Sequence, residues 1–195
     1  MLELKNVKLR NLLMNYGVWF NGVKCMITFI LITGYCGAGK TTVASDIKNM
    51  LESHDYRCET RSFATPLKEF ASIYFNYDEN NKNIQRSLLE DLARNLKELF
   101  GKELFAHTLL DKCPYVFTDY VIVDDLRYVE EYQTINEFFR TTVIKVADPD
   151  ISNIDENDLE RIHNLTEYFD TMFIPYYQMK SRNLYGLKKF ILGLK

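Results

Sequence analysis

Two patterns of apolar residues alternate along the chain: short continuous runs, and residues spaced three or four positions apart. The predominantly apolar run at 26–33 predicts a buried strand, and apolar residues at helical spacing from Lys40 to Leu51 predict the helix that follows. Later segments repeat both patterns. Strands are predicted at 57–64, 120–127, 141–147 and 171–175, and helices beginning near Pro66, over 88–100 with an end at Gly101, from Tyr128, and over 184–194.

The alternation of strand-like and helix-like segments predicts the fold class. Such alternation is typical of a parallel sheet covered by helices on both faces. The run at 120–127 closes in acidic residues, as expected of a central parallel strand whose carboxyl end faces a site. The sequence therefore predicts an α/β protein with three α/β/α layers and a central parallel sheet.

The chain divides into a short extension and one domain. Residues 1–25 lack an uninterrupted apolar region and a small-residue cleavage site, which disfavours a secretory signal. A terminal helix, a disordered tail and an extension upstream of Met26 all remain open for them. Residues 26–195 are predicted to form a single domain. Its polar, acidic segment at about 149–169 is either an exposed connection or a lid over the site.

The net charge and the cysteine content indicate which binding partners and which cellular compartment to expect. A net charge of −3 gives no basic surface for a nucleic acid polymer, so none is expected. The apolar runs are too short to span a bilayer, and no membrane partner is expected. The four cysteines lack CxxC spacing, which argues against a zinc site or disulfide framework and favours a reducing, cytoplasmic setting. A homodimer is left open.

The segment GYCGAGKTT, from Gly34 to Thr42, matches the phosphate-binding loop pattern between a strand and a helix. Glycines let backbone N–H groups point at phosphate oxygens, and the helix adds its positive N-terminal end. Lys40 is expected to reach the β- and γ-phosphates, and the Thr41 hydroxyl to bind Mg²⁺. The predicted cofactors are ATP and Mg²⁺, bound by Gly34, Gly37, Ala38, Gly39, Lys40, Thr41 and Thr42.

The remaining sequence favours a small kinase among nucleotide-binding proteins. A GTPase is expected to carry an Asn-Lys-x-Asp motif late in the chain, which is absent from this sequence. Phosphoryl transfer then needs an acceptor site and charge-neutralising groups near the strand ends. Asp125 is the candidate to orient the acceptor or to hold the Mg²⁺ shell. Asp124 is the neighbouring alternative, because adjacent strand residues face opposite sides and the sequence does not determine the register.

Several basic residues are candidates for binding phosphate. Arg127 can bind an acceptor phosphate bidentately, and Lys68 lies in the first turns of a predicted helix. Arg86 and Arg94 flank Glu90 at spacings of four, which suits an acceptor site or an exposed ion-pair ladder equally well. Arg161, within the acidic segment, is the candidate lid arginine, although a solvated loop is slightly favoured there.

Three further segments, taken in order, resemble the deoxynucleoside monophosphate kinases of bacteriophages and related viruses. SFATPLKEFA (62–71) resembles the Phe-Ala-x-Pro-Leu-Lys segment of that family, and VDDLRYVEE its Asp-x-Arg followed by Glu, here Asp125, Arg127 and Glu131. HNLTE (163–167) resembles a His-x-Ser/Thr-Glu element of the lid, with one extra residue. The chain departs from the family at Glu90, Ala93 and Pro175, where Gln, Gly and Asn are frequent.

The resemblance implies a P-loop nucleoside monophosphate kinase-like fold and a specific reaction. ATP would phosphorylate a (deoxy)nucleoside monophosphate, a small-molecule substrate, to the diphosphate. A phosphomevalonate kinase-like enzyme and a non-catalytic ATP-responsive binding protein are the alternatives. Together with the residue patterns above, the predicted roles are catalysis by Lys40, Asp125 and Arg127, substrate binding by Lys68, Arg86 and Arg94, lid closure by Arg161, and metal binding by Thr41 and Asp125.

Overall fold

The computed structural model describes residues 25–81, 85–112, 118–147, 163–165, 172–175 and 191. Strands and helices alternate along this part of the chain. In chain order they are β1 (Cys25–Gly34), α1 (Lys40–Glu52), β2 (Cys58–Arg61), α2 (Thr65–Phe75), a 3₁₀ turn (Glu79–Asn81), α3 (Arg86–Phe100), α4 (Leu104–Asp111), β3 (Tyr120–Val123), α5 (Val129–Phe138), β4 (Phe139–Ala147) and β5 (Met172–Pro175).

The described strands form one parallel sheet in the order β2-β3-β1-β4-β5. Leu31 of β1 lies in register with Val123 of β3 on one side and with Val143 of β4 on the other. The carboxyl ends of β1 and β3 therefore reach the same edge of the sheet. In open parallel sheets this edge is where ligands bind.

Helices cover both faces of the sheet, so the predicted three-layer α/β/α arrangement is confirmed. On one face, Ile47 and Leu51 of α1 pack in a core with Ile30 and Ile32 of β1. On the opposite face, α2, α4 and α5 contribute to a second core around Phe29. The alternation of β1 side chains between the two cores follows from the two-residue repeat of a strand.

Some element bounds differ from the sequence prediction. Strand β3 ends at Val123, so the acidic residues after it leave the sheet, and α4 was not predicted at all. The apolar stripe of α3 was predicted to continue through its last turn, yet Leu99 is 75% exposed and Phe100 is exposed as well. Neighbouring elements cover the earlier turns, with Leu89, Leu92, Ala93 and Leu96 packed against the core.

The predicted extension and the predicted lid lie almost wholly outside the described residues. Strand β1 begins at Cys25, the last residue assigned to the extension. Of the predicted closing helix at 184–194, the structure describes only Ile191, which packs against the core on the α1 side. Membrane-crossing length and apolarity are not reached by any helix in the described part of the chain.

Candidate active site

The loop between β1 and α1 has the backbone geometry that its glycines predict. Gly34 has a φ of 151°, and a Cβ at this position would collide with the carbonyl oxygen of Val146 on β4. Gly39, directly before α1, is left-handed with a φ of 84°. Both conformations favour glycine, because a side chain would be strained in each. The two glycines therefore allow the chain to turn tightly between the carboxyl end of β1 and the start of α1.

The first turn of α1 faces this loop. Its N-cap is Gly39, which has no side chain with which to cap the helix, so the first backbone N–H groups remain directed toward the loop. Together with the helix dipole they form a place for an anion. The Lys40 ammonium lies over the loop, where Nζ donates to the carbonyl oxygens of Gly34 at 2.8 Å and Tyr35 at 2.7 Å.

A hydroxyl and a carboxylate meet next to the loop. Thr41, in the first turn of α1, donates from Oγ1 to Oδ2 of Asp124 at 2.8 Å. Asp124 follows directly on β3, so this contact joins the first turn of α1 to the end of the strand beside β1. Oxygen ligands of these two kinds are those that Mg²⁺ takes, together with substrate phosphates. The chemistry of the pair fits the predicted metal.

Asp125 points away from Thr41, into the turn that joins β2 to α2. Its carboxylate accepts hydrogen bonds from Ser62 Oγ at 2.6 Å, from the Phe63 N–H at 2.9 Å and from the Ala64 N–H at 3.0 Å. Burial raises the pKa of Asp125, while these three hydrogen bonds act to lower it. The sequence analysis named Asp125 as the metal partner of Thr41 and kept Asp124 as the neighbouring alternative. In the structure Thr41 contacts Asp124, because consecutive residues of an extended chain project in opposite directions.

A cavity of about 280 Å³ lies beside the glycine-rich loop between β1 and α1. Cys36 contributes the loop side of its lining, and the predicted phosphate ligands Lys68, Arg86 and Arg127 all line it, as does Asp125. Three separate elements bring these cations together: α2, α3 and the turn after β3. The apolar part of the lining comes from Phe63, Leu67, Tyr77, Leu89, Ala93 and Phe105.

The two arginines predicted together on α3 have different surroundings. Arg86 lines the cavity and forms an ion pair with Glu90, with 2.9 Å between Nε and Oε1. The Arg94 side chain is 65% exposed, lies outside this cavity and pairs with Asp91 at 3.1 Å. Arg94 lies about 12 Å further along α3 and is rotated by about 80° from Arg86, so the two arginines do not line the same cavity. Arg161 falls outside the described residues.

A buried ion pair lines the same cavity; the sequence analysis named Glu131 only within the resemblance and did not single out its partner, Lys97. The Glu131 side chain is 3% exposed and lies 3.3 Å from Lys97 Nζ, while its Oε2 accepts the N–H groups of Arg127 and Tyr128. Burial raises the pKa of Glu131 to about 7, against the lowering effects of Lys97 and the Arg127 N–H. The available signal was Lys97 itself, a charged residue four positions after Ala93 on the apolar stripe of α3.

Comparisons with known proteins identify structural likeness only. No protein-family model matches the chain, and a search of curated proteins finds no match. A GTPase from Pyrococcus abyssi in its apo form is 18% identical with a TM-score of 0.45, covering 80% of this chain and 72% of that one. A mutant of the APS kinase CysC from Mycobacterium tuberculosis is 15% identical with a TM-score of 0.40, covering 71% and 96%. At this level of similarity, function has to be argued from the site of this chain.

Proposed function

We propose that the protein is an ATP- and Mg²⁺-dependent phosphotransferase that converts a nucleoside monophosphate, preferably a deoxynucleotide, to the diphosphate. The observation that carries the proposal is the cavity next to the phosphate-binding loop, which Lys68, Arg86 and Arg127 line. An acceptor phosphate bound by these cations would face the end of a triphosphate held by the loop. Phosphoryl transfer depends mainly on this kind of positioning and charge neutralisation.

On the donor side, the N-terminus of α1 and Lys40 would bind the triphosphate. The Lys40 ammonium now donates to two neutral carbonyl oxygens. Phosphate oxygens carry full charge and are stronger acceptors, so ATP would draw the ammonium from the loop carbonyls. Thr41 and Asp124 would hold Mg²⁺, whose contribution is to neutralise charge on the phosphates.

On the acceptor side, the charged and apolar parts of the cavity suit the two halves of a nucleotide. Arg127, Lys68 and Arg86 would bind the phosphate, and the aromatic rings of Phe63, Tyr77 and Phe105 offer apolar area for the base. Asp125 lines the cavity, and its proposed role is to orient the acceptor while it holds the turn at 62–64. Closure by Arg161 remains a prediction.

The proposal is tested by measuring ADP release with ATP, Mg²⁺ and each common ribo- or deoxynucleoside monophosphate, with phosphomevalonate and with no acceptor. We expect release that depends on one or more monophosphates. Release with phosphomevalonate alone would support the other kinase class, and saturable ATP binding without any acceptor-dependent release would support a binding protein. Lys40→Ala should lower kcat by at least about 100-fold. Lys48→Ala is the matched control, because Lys48 lies on the same helix away from the loop and pairs with Glu52 at 3.8 Å.

A further inference from the structure

We propose that Glu131 and Lys97 form a positioning pair for the acceptor site. They hold the turn at 125–128, and with it Arg127, against helix α3. The inference rests on the proposed function, because it assumes that Arg127 binds the acceptor phosphate. In this role the pair acts through Arg127 and α3 rather than on the reacting atoms.

Glu131 determines where the backbone of Arg127 lies. It is the third residue of α5, from which its Oε2 reaches back to the N–H groups of Arg127 at 3.1 Å and Tyr128 at 3.2 Å. Backbone N–H groups at a helix start have no partner within the helix, so a side-chain acceptor keeps them in place. Fixing the Arg127 N–H restrains its Cα, and with it the start of a side chain that lines the cavity.

Lys97 connects that turn to the opposite wall of the cavity. Its side chain is 12% exposed, and Nζ lies 3.3 Å from Glu131 Oε1 and 3.2 Å from the centre of the Tyr128 ring. The ammonium therefore contacts both the acid that holds the turn and a ring within the turn. Because α3 also carries Arg86, the pair joins two of the walls that contribute cations to the proposed phosphate site.

A positioning role explains why charged groups occupy a place that apolar side chains could fill. Removing two charges from water offsets most of their mutual attraction, so a buried ion pair is weak evidence for a gain in stability. The charged groups around Glu131 are Lys97 from α3, Asp125 and Arg127 from the turn, and Glu130 from α5, which pairs with Lys102. Lys68, Arg86 and Glu90 line the same cavity.

The test compares Glu131→Ala, Glu131→Gln and Lys97→Met with Glu130→Gln and Lys102→Met. The two control variants break a neighbouring ion pair of 3.1 Å in which Lys102 is 74% exposed. We expect Glu131→Ala and Lys97→Met to lower kcat/KM for the monophosphate by about 10- to 100-fold through misplacement of Arg127. The affinity for ATP measured without acceptor should stay at the wild-type value. Glu131→Gln, which keeps an acceptor for both N–H groups, should recover part of the loss relative to Glu131→Ala.

Hydrogen exchange at the amides of Arg127 and Tyr128 tests the inference without catalysis. Exchange should accelerate in Glu131→Ala and remain at the wild-type rate in Glu130→Gln. Unchanged exchange would overturn the inference, as would equal losses in ATP and monophosphate affinity. Wild-type protein that binds monophosphates but transfers no phosphate would overturn the proposed function alone. The hydrogen-exchange rates and the monophosphate affinities of the variants would then decide the inference. Wild-type protein that binds no monophosphate would overturn both.

Discussion

Glu131 should make the stability of the fold depend on pH in an unusual direction. Its side chain is 3% exposed, and burial raises its pKa from 4.5 to about 7 despite the opposing effect of Lys97. Between these two values the folded protein keeps a proton that the unfolded chain releases. The stabilisation is therefore complete below about pH 4.5 and is lost as the pH rises through about 7.

The magnitude follows from the two pKa values. Each unit of difference between the folded and unfolded pKa corresponds to about 1.4 kcal/mol. A pKa raised from 4.5 to about 7 therefore contributes about 3 kcal/mol to the free energy of unfolding. Glu131→Gln removes the titration, and above about pH 7 it also removes the charge opposite Lys97. Whatever its stability at the lowest pH, the free energy of unfolding of the variant relative to wild type should rise by about that amount over this interval.

The assay is urea unfolding of wild type and Glu131→Gln at closely spaced pH values from about 4 to 8. The neighbouring variant Glu130→Gln is the control. Partial burial acts to raise the pKa of Glu130, but a backbone hydrogen bond and Lys102 bring it below the ordinary value. Stability from Glu130 is therefore present at higher pH and lost as the pH falls, which is the opposite sign. Parallel stability curves for wild type and Glu131→Gln would refute the reasoning.

Four further substitutions test the site and the loop. Lys40→Ala should lower kcat by at least about 100-fold, while the free energy of unfolding measured in urea changes by less than about 2 kcal/mol. Turnover at the wild-type rate would contradict a role for Lys40 in binding the donor. Asp124→Asn should raise the Mg²⁺ concentration for half-maximal activity by about tenfold, and an unchanged Mg²⁺ titration would argue against metal binding there. Asp125→Ala leaves two backbone N–H groups and a hydroxyl without their acceptor. The free energy of unfolding measured in urea should therefore fall by about 2–5 kcal/mol. Gly34→Ala should lower the free energy of unfolding by about 1–3 kcal/mol, because the added methyl group meets the Val146 carbonyl on β4. An unchanged free energy of unfolding would mean that the two strands move apart easily.

How much of the site could be predicted depended on how local each feature is. The loop from Gly34 to Thr42 and its flanking elements follow from contiguous residues, since backbone conformation there is decided by which residues tolerate a positive φ. Lys68, Arg86 and Arg127 were named individually, but their meeting in one cavity depends on how α2 and α3 pack over the sheet. Arg94 was named for the same site, yet the direction of α3 leaves it in solvent beside Asp91.

By itself, the sequence determined the alternation of strands and helices apart from α4, the α/β class and the glycine-rich loop, because periodicity and glycine placement act over a few neighbouring residues. Only the tertiary structure decided that Asp124 meets Thr41 while Asp125 holds the turn at 62–64. It also decided that Lys97 and Glu131, 34 positions apart, form a buried pair. Strand register and helix packing place such residues side by side, and both arise from contacts between segments that are remote in the chain.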